Sequence, residues 1–278
     1  MTVLAFTSQI FLLSILAGFL GALTGLGGGV VIIPVLTLLF GVDIRYAMGA
    51  SLVSVIATSS GAAIAYVREG LSNIRIGMFL EIATTLGAIC GAFLTARVSS
   101  HGIAIVFGIV LLYSAIASFR RKSDPTPRAV PDHLATKLEL VGTYTGPNGP
   151  IAYSAERVPL GFGVMFGAGT LSGLLGIGSG VVKVLAMDQA MKLPFKVSTT
   201  TSNFMIGVTA AASAGIYLEH GYIVPGIAMP VILGVLAGSL IGTHFLIRAH
   251  VATLRVIFAT VIGALGLEMI YNGITKRI

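Results

Sequence analysis

Two glycine-rich pentads carry the first chemical signal in this sequence of 278 residues. Each lies within a long apolar segment, and glycine weakens a helix by roughly 1 kcal/mol per residue, so we predict that the helix breaks there. A break leaves unpaired N–H groups and a positive dipole end on the helix that follows, which favours an anion. The candidate anion-binding positions are Gly25, Gly27, Gly28, Gly29, Gly176, Gly178, Ser179 and Gly180.

Polar side chains close to the pentads are further candidates for substrate binding. Lys183 follows the second pentad within an apolar run, and an ionisable residue at membrane depth indicates a functional site. It would add a positive charge to the anion site, although pairing with Asp188 or extension toward the membrane surface explains it equally well. Ser51, Ser202 and Asn203 begin helical segments, where they either donate hydrogen bonds to an oxyanion or cap the helix.

Three isolated ionisable residues inside apolar segments, Glu81, His244 and Glu268, are candidates for proton coupling. A position near the membrane surface explains each of them equally well. The five histidines show no HExxH or other metal-ligand spacing, and no GxSxG or Walker motif occurs. We therefore predict neither an enzyme nor a bound metal or cofactor.

The composition is that of a protein for which the bilayer is the solvent. Of the residues, 55% are hydrophobic and 10% are charged, and the mean hydropathy is +0.98. Apolar runs of about 18 residues or more follow one another, which excludes an ordinary soluble enzyme. The net charge of +7 comes from basic residues scattered beside apolar segments, so nucleic-acid binding is not expected. Cys90 is the single cysteine, so no intrachain disulfide can form.

Eight apolar segments and one charged stretch organise the chain. The segments cover residues 5–40, 47–67, 75–97, 102–119, 159–192, 199–218, 222–247 and 251–272. We interpret residues 120–158 as an aqueous loop between a first membrane repeat, 1–119, and a second, 159–278. Within it, semi-alternating runs at 137–144 and 151–158 flank turn residues and predict a small β-hairpin, with a disordered loop as the alternative.

The two halves match in an ungapped register. Gly176 follows Gly25 by 151 residues, and the same spacing relates Ser51 to Ser202. Further identical pairs at this spacing are Thr58 and Thr209, Tyr66 and Tyr217, Gly70 and Gly221, Gly87 and Gly238, and Gly91 and Gly242. We infer an internal duplication. Duplicated halves that each hold a glycine-interrupted span at the same position are typical of secondary transporters.

The first segment of each half is too long for one straight crossing. About 35 residues extend over roughly 50 Å, against a hydrocarbon core of about 30 Å. Either the helix is broken and strongly tilted, or it folds back at the glycines. The basic residues whose side depends on this choice are Lys192, Lys196, Arg248, Arg255, Lys276 and Arg277.

Basic residues favour the fold-back arrangement, because cytoplasmic loops are enriched in Lys and Arg. Apart from Lys183, a single crossing places 10 Lys and Arg residues on the cytoplasmic side and 6 on the other side. The fold-back places 12 on the cytoplasmic side and 4 on the other. We therefore predict an all-α integral membrane protein of two homologous four-segment repeats with inverted orientation. Each repeat starts with a glycine-broken, fold-back helix, and the hairpin lies in the central cytoplasmic loop.

Four stretches of the sequence are similar to a known family. They are Gly25-Leu-Gly-Gly-Gly-Val-Val-Ile-Ile-Pro34, Met48-Gly-Ala-Ser-Leu-Val53, Ser172-Gly-Leu-Leu-Gly-Ile-Gly-Ser-Gly-Val-Val-Lys183 and Ser202-Asn-Phe-Met-Ile-Gly-Val-Thr209. They resemble the TauE/SafE family of sulfite and organosulfonate exporters over nearly the whole chain. The second pentad departs from the family pattern at Ser179, where glycine is more common.

This resemblance implies export of sulfite or an organosulfonate such as sulfoacetate across the cell (inner) membrane. From the residues and the resemblance together we expect a multi-pass secondary transporter that works by alternating access. The alternatives are an anion channel, a transporter of another ion such as a metal cation, and a membrane enzyme or scaffold. The expected partners are a small anionic substrate and the lipid bilayer, and helices rich in Gly and Ala would allow a homodimer.

Overall fold

The computed structural model describes residues 3–24, 28–68, 72–120, 132–146, 149–246 and 251–276. The described chain is mostly helical, with one two-stranded sheet. Its helices are α1 (Val3–Thr24), α2 (Gly29–Pro34), α3 (Ile44–Arg68), α4 (Ile74–Thr95), α5 (Ser100–Arg120), α6 (His133–Lys137), α7 (Val158–Leu175), α8 (Gly180–Leu185), α9 (Phe195–Glu219), α10 (Pro225–Leu246) and α11 (Val251–Ile274). The strands are β1 (Val141–Gly146) and β2 (Gly149–Ser154), and π-helical turns at Val35–Leu39 and Ala186–Ala190 continue α2 and α8.

Four of the described helices are long and apolar enough to cross a membrane. They are Leu4–Gly21, Ile74–Thr95, Ser100–Ala117 and Val158–Leu175. The helices α3 and α9 have 25 residues each and are long enough to cross as well, but they carry buried hydroxyl residues such as Ser51 and Ser202. Helices that other helices shield from lipid tolerate such residues, because their polar groups bond within the protein.

Each glycine-broken segment turns back on itself. A side-chain carbon placed on Gly28 would lie 3.4 Å from the Cα atom of Gly18, so the chain after α1 has reversed along it. In the second half, the hydroxyl of Ser179 donates a 2.7 Å hydrogen bond to the carbonyl of Ala168, about two turns before the end of α7. In the described residues, Gly28 therefore lies beside α1 and Ser179 lies beside α7.

Each returning arm, Gly29–Leu39 in the first half of the chain and residues 180–190 in the second, ends at the level at which the preceding long helix begins. The ring of Phe40, after the first arm, packs edge-on against Phe6 of α1 with centroids 5.5 Å apart. A side-chain carbon at Gly161, near the start of α7, would overlap Met191 just after the second arm. An arm such as Gly29–Leu39 is about 16 Å long, roughly half of the hydrocarbon core. The breaks therefore lie deep within the bundle.

Helices from the first part of the chain pack mainly against helices from the last part. The main pairs are α1 with α10, α4 with α7, α5 with α11 and α3 with α9. Glycine allows some of these backbones to touch, because a side-chain carbon on Gly87 would overlap the carbonyl of Phe166. At the corresponding contact, a side-chain carbon on Gly238 would overlap the carbonyl of Ile15. Close approach of this kind is typical of helix pairs in membranes.

The sheet covers one end of the bundle, which we call the hairpin end. The Nδ2 of Asn73 donates to the carbonyl of Val141 at 3.2 Å and to the Tyr153 hydroxyl at 3.0 Å. Arg75 also pairs with Glu139. Burial raises the pKa of the Tyr153 phenol above its ordinary value, so the phenol stays protonated at neutral pH.

The observed strands are shifted from the predicted runs at 137–144 and 151–158. Lys137 is the last residue of the short helix α6. The side chain of Asp132 caps the start of this helix by accepting a hydrogen bond from the backbone N–H of Leu134. Cap formation overrides the alternating pattern at that point. Val158 likewise begins α7 rather than ending a strand, and the two observed strands pair from Val141 with Ser154 to Gly146 with Gly149.

Candidate functional site

The second break has a backbone that few residues other than glycine adopt. Gly176 ends α7 with φ +66°, Gly178 follows with φ +69°, and Ser179 is left-handed at φ +43°. A side-chain carbon on Gly178 would lie 2.7 Å from Ile206 and 3.2 Å from Val55. Conformation and space both require glycine at position 178. Ser179 carries the strain of a left-handed non-glycine residue.

The two breaks meet beside the helices α3 and α9. The hydroxyl of Ser51 on α3 donates a 2.8 Å hydrogen bond to the carbonyl of Gly176 in the second break. The same hydroxyl occupies the space that a side chain at Gly29 in the first break would need. On α9, the hydroxyl of Ser202 donates to the carbonyl of Gly180 at 3.2 Å. The structure thus brings Gly29, Gly176 and Gly180 of the two pentads against two predicted serines.

A small cavity lies where the breaks meet. Its lining residues are Val30, Val110, Leu111, Ser114, Ile177, Ser179, Gly180 and Val182. The centre of a water molecule can move within about 10 Å³, so the cavity has room for about one water. An oxyanion with four or five heavy atoms needs more space. The observed conformation is therefore closed around this position.

The predicted hydroxyl donors are engaged within the protein. Ser51, Ser179 and Ser202 each donate to a backbone carbonyl, and a hydroxyl has one hydrogen to give. Asn203 is the neighbour of Ser202 on α9 and is half-buried. In the closed conformation, the groups still suited to an anion are the first N–H groups of each returning arm. They precede the N–H groups of Val31 and Lys183, which donate to the carbonyls of Gly28 and Ser179.

Lys183 is fully buried one turn into the second arm. Its Nζ donates to the Thr209 hydroxyl at 2.5 Å and to the Met205 carbonyl at 3.4 Å. The Thr209 hydroxyl lies 2.6 Å from Oε1 of Glu81 and donates to it, so it bridges the ammonium and the carboxylate. This links two residues predicted for different roles, Lys183 for substrate binding and Glu81 for proton coupling.

Glu81 is buried with an exposed fraction of 8% and is only partly satisfied. Its Oε1 also accepts a 3.1 Å hydrogen bond from the Thr85 hydroxyl. Its Oε2 has no hydrogen-bond partner within the described part of the chain. Sequence reasoning missed Thr209 and Thr85, because nothing in the spacing of a threonine on α9 or α4 indicates that it touches a buried charge.

The remaining predicted residues do not join this group. Glu268 is exposed on α11. Gly25 and Gly27 lie outside the described residues, and the same is true of the His244 side chain. Within the described ranges, no cluster of three or more His, Cys, Asp or Glu side chains is arranged to hold a metal ion.

Comparison with known proteins identifies the family. Residues 10–269 match the family described as "Sulfite exporter TauE/SafE". The "Probable membrane transporter protein YunE" of Bacillus subtilis (strain 168) is 28% identical over 270 residues, covering 94% of this chain and 96% of that protein. The "Probable membrane transporter protein YdhB" of the same strain is 29% identical over 236 residues, covering 84% and 86%. No solved structure is significantly similar to the chain.

The family match spans the two glycine breaks, the helices that hold them and the buried Lys183 and Glu81. Together with the four long apolar helices, it identifies a membrane transporter and not a soluble protein. The chain belongs to the TauE/SafE sulfite exporter family.

Proposed function

We propose that this protein is a secondary transporter that exports a small sulfur-containing anion, sulfite or an organosulfonate such as sulfoacetate, by alternating access. The observation that carries this proposal is the meeting of the two glycine breaks at an interior cavity, with the buried Lys183 one turn along the second arm. Val30 and Gly180, at the starts of the two returning arms, both line the cavity, so two sets of first-turn N–H groups act on the same region. Lys183 lies one turn further along the second arm, with its ammonium against Thr209 of α9.

Equal spacing of the helices supports two homologous halves. The helix α3 (Ile44–Arg68) and the helix α9 (Phe195–Glu219) are separated by 151 residues at both ends, and the same holds for α4 (Ile74–Thr95) and α10 (Pro225–Leu246). The pairing of α1 with α10 is repeated by the pairing of α7 with α4. A twofold relation of this kind, with three full crossings after each fold-back, gives halves of inverted orientation.

Inverted halves provide a physical route to alternating access. The closed cavity lies between elements of the two halves, so a rocking of one half against the other would open it to one side at a time. The same motion would enlarge the cavity to the size of an oxyanion and release Ser51 from the carbonyl of Gly176. We assign residues 1–119 and 159–278 to the two halves and 120–158 to a cytoplasmic linker in a multi-pass protein of the inner membrane.

Two other transport modes have less support. A metal-cation transporter needs clustered carboxylates or histidines at depth, and the described residues contain no such cluster. An anion channel would use the same positive region, but its flux would rise in proportion to concentration. Saturation of the flux separates the two mechanisms.

The test uses purified full-length protein, first for binding in detergent and then for flux in liposomes. We expect sulfite or sulfoacetate to bind, and sulfate and chloride to bind more weakly. Gly178→Leu places a side chain where the two glycine breaks meet, and Lys183→Ala removes the ammonium. Each substitution should weaken anion binding at least tenfold, which corresponds to about 1.4 kcal/mol.

Matched controls for these variants lie on or beside the same elements. A side-chain carbon on Gly167 of α7 would meet nothing within 4 Å, and Lys192 is exposed just after the second arm. Gly167→Ala and Lys192→Ala should bind as the wild type does. If no anion binds the folded wild type, or if Gly178→Leu and Lys183→Ala bind normally, the proposed site is wrong.

A further inference from the structure

The Lys183 ammonium and the Glu81 carboxylate are both buried, and the Thr209 hydroxyl lies between them. Lys183 belongs to α8, Thr209 to α9 and Glu81 to α4, so the bridge joins helices that we assign to different halves. Buried ion pairs contribute little net stability, because the loss of hydration offsets their attraction. The stability of the fold therefore does not explain why this pair is present.

The corresponding place in the other half has no such pair. At a spacing of 151 residues, Lys183 corresponds to Ile32 and Glu81 to Ile232. Ile32 is fully buried and Ile232 packs against the same hydrophobic core. Two isoleucines therefore fill this type of position within the same packing arrangement. The charged version must serve something other than packing.

From these contacts we propose that Glu81 is a proton-binding site coupled to anion binding through Thr209 and Lys183, so that one proton accompanies each bound anion. This inference rests on the proposed function. In the proton-free state the carboxylate balances the ammonium. Adding an anion would then leave a net negative charge in a region that holds little water, which is costly. A proton on Glu81 leaves Lys183 as the positive partner of the anion.

The hydrogen bonds leave a place for that proton. Oε1 of Glu81 accepts from Thr209 and Thr85, whereas Oε2 has no partner within the described residues. Protonation forms an O–H bond at Oε2 and consumes one proton from the aqueous side to which the site is open. Oε1 keeps its two donors throughout. The network can therefore change its net charge without losing a hydrogen bond.

Lys183 is the charged residue that the Thr209 hydroxyl links to Glu81. The helix α7 has no titratable side chain between Val158 and Leu175. The other titratable residues on α4, α8, the π-helical turn after it and α9 lie further along the chain. Arg75 pairs with Glu139, and Cys90 is exposed nine residues after Glu81. Asp188, Lys196, Tyr217 and Glu219 lie at least five residues from Lys183 or Thr209. A pH dependence of anion binding is therefore assigned to the pair itself.

The experiment counts protons taken up when sulfoacetate binds to purified full-length protein. Calorimetric titrations in buffers with different ionisation enthalpies give this number. Between about pH 6 and pH 9 sulfoacetate itself does not titrate, which makes it a better probe than sulfite. We expect about one proton per anion, and an affinity that falls by up to tenfold per pH unit over the range in which Glu81 loses its proton.

Glu81→Gln keeps an acceptor for Thr209 and resembles the protonated acid, so it should bind sulfoacetate with no proton uptake and no pH dependence. Glu268→Gln removes an exposed carboxylate and should behave as the wild type does. Glu81→Asp should retain proton uptake. If Glu81→Gln does not fold, the wild-type proton count still decides the matter, because zero uptake overturns the inference.

The outcomes separate the two proposals. If sulfoacetate binds but the wild type takes up no proton, or if Glu81→Gln still takes one up, proton coupling at Glu81 is wrong and the anion site stands. If neither sulfoacetate nor sulfite binds the folded wild type, the proposed function fails and the coupling fails with it.

Discussion

At the scale of single residues, the molecule concentrates its unusual chemistry in a few buried positions. Gly178 sits where φ and space both exclude a side chain, and Ser51 fills the space beside Gly29. Lys183 and Glu81 are joined by one hydroxyl, that of Thr209. The buried hydroxyl, ammonium and carboxylate groups are sensitive to the removal of a partner. A buried polar group keeps its full desolvation cost when its hydrogen-bond partner is lost.

Thr209 offers the sharpest test at this scale. Thr209→Val keeps the shape but removes the bridge, so Lys183 loses a close acceptor and Glu81 loses a donor. We expect the free energy of unfolding to fall by about 1–3 kcal/mol. The measurement is thermal or denaturant unfolding in detergent, with Thr58→Val as the matched control.

Thr58 occupies the corresponding position in the first half, but its hydroxyl donates only to carbonyls of its own helix, those of Ser54 at 3.0 Å and Val55 at 3.2 Å. Thr58→Val should therefore change stability by less than about 0.5 kcal/mol. Equal effects of the two substitutions would contradict the bridging role of Thr209.

At the scale of elements, the fold-back arms decide where the chemistry lies. An arm of about 16 Å returns from the middle of the bundle to the end at which it started, so its first turn is interior and its last turn is near an end. The helices α3 and α9 hold these first turns with serine hydroxyls. The β-hairpin contacts α4 at the end of the bundle where the second arm finishes, and there the backbone N–H of Glu156 donates to the carbonyl of Met191.

Asn73 tests how firmly the hairpin is attached. Its side chain caps α4 by accepting from the backbone N–H of Ile76, and it donates to Val141 and Tyr153. Asn73→Ala should lower stability by about 1–2 kcal/mol and increase hydrogen exchange in β1 and β2. Asn272→Ala is the control, because Asn272 is at the exposed end of α11 and bonds to the carbonyl of Glu268 in its own helix. Unchanged exchange in both variants would show that the hairpin is held by other contacts.

At the scale of the whole molecule, helices of one proposed half pack against helices of the other. The helix α1 packs against α10 and α7 against α4, so neither half forms the bundle without the other. With the proposed inverted orientation, the fold-back places Lys192 on the same side as the hairpin. A single crossing would place it on the opposite side.

Single-cysteine labelling distinguishes these arrangements. In a Cys90→Ala background, we expect Glu139→Cys and Lys192→Cys to react with a membrane-impermeant maleimide from the cytoplasmic side only. Ser99→Cys, which lies between α4 and α5, should react from the outside only. All three positions are exposed. Labelling of Lys192→Cys from the same side as Ser99→Cys would contradict the fold-back and the inverted orientation built on it.

The sequence by itself was enough to predict a membrane protein, the two pentads as helix breaks and the central charged stretch. These properties depend on local composition, because hydropathy and the helix-breaking effect of glycine act over a few residues. The predicted strand ends were displaced, as Lys137 illustrates, because a capped helix and an alternating pattern compete over the same residues.

Only the tertiary structure decided which residues meet. Glu81 and Thr209 are separated by 128 residues, and Lys183 and Thr209 by 26, so no spacing in the sequence joins the three side chains. Whether the chain continues or reverses after a glycine pentad also depends on the helices that receive it, since the same glycines permit both paths. The sequence determined which groups are costly to bury, and packing between the halves determined that an ammonium, a hydroxyl and a carboxylate share that cost at one place.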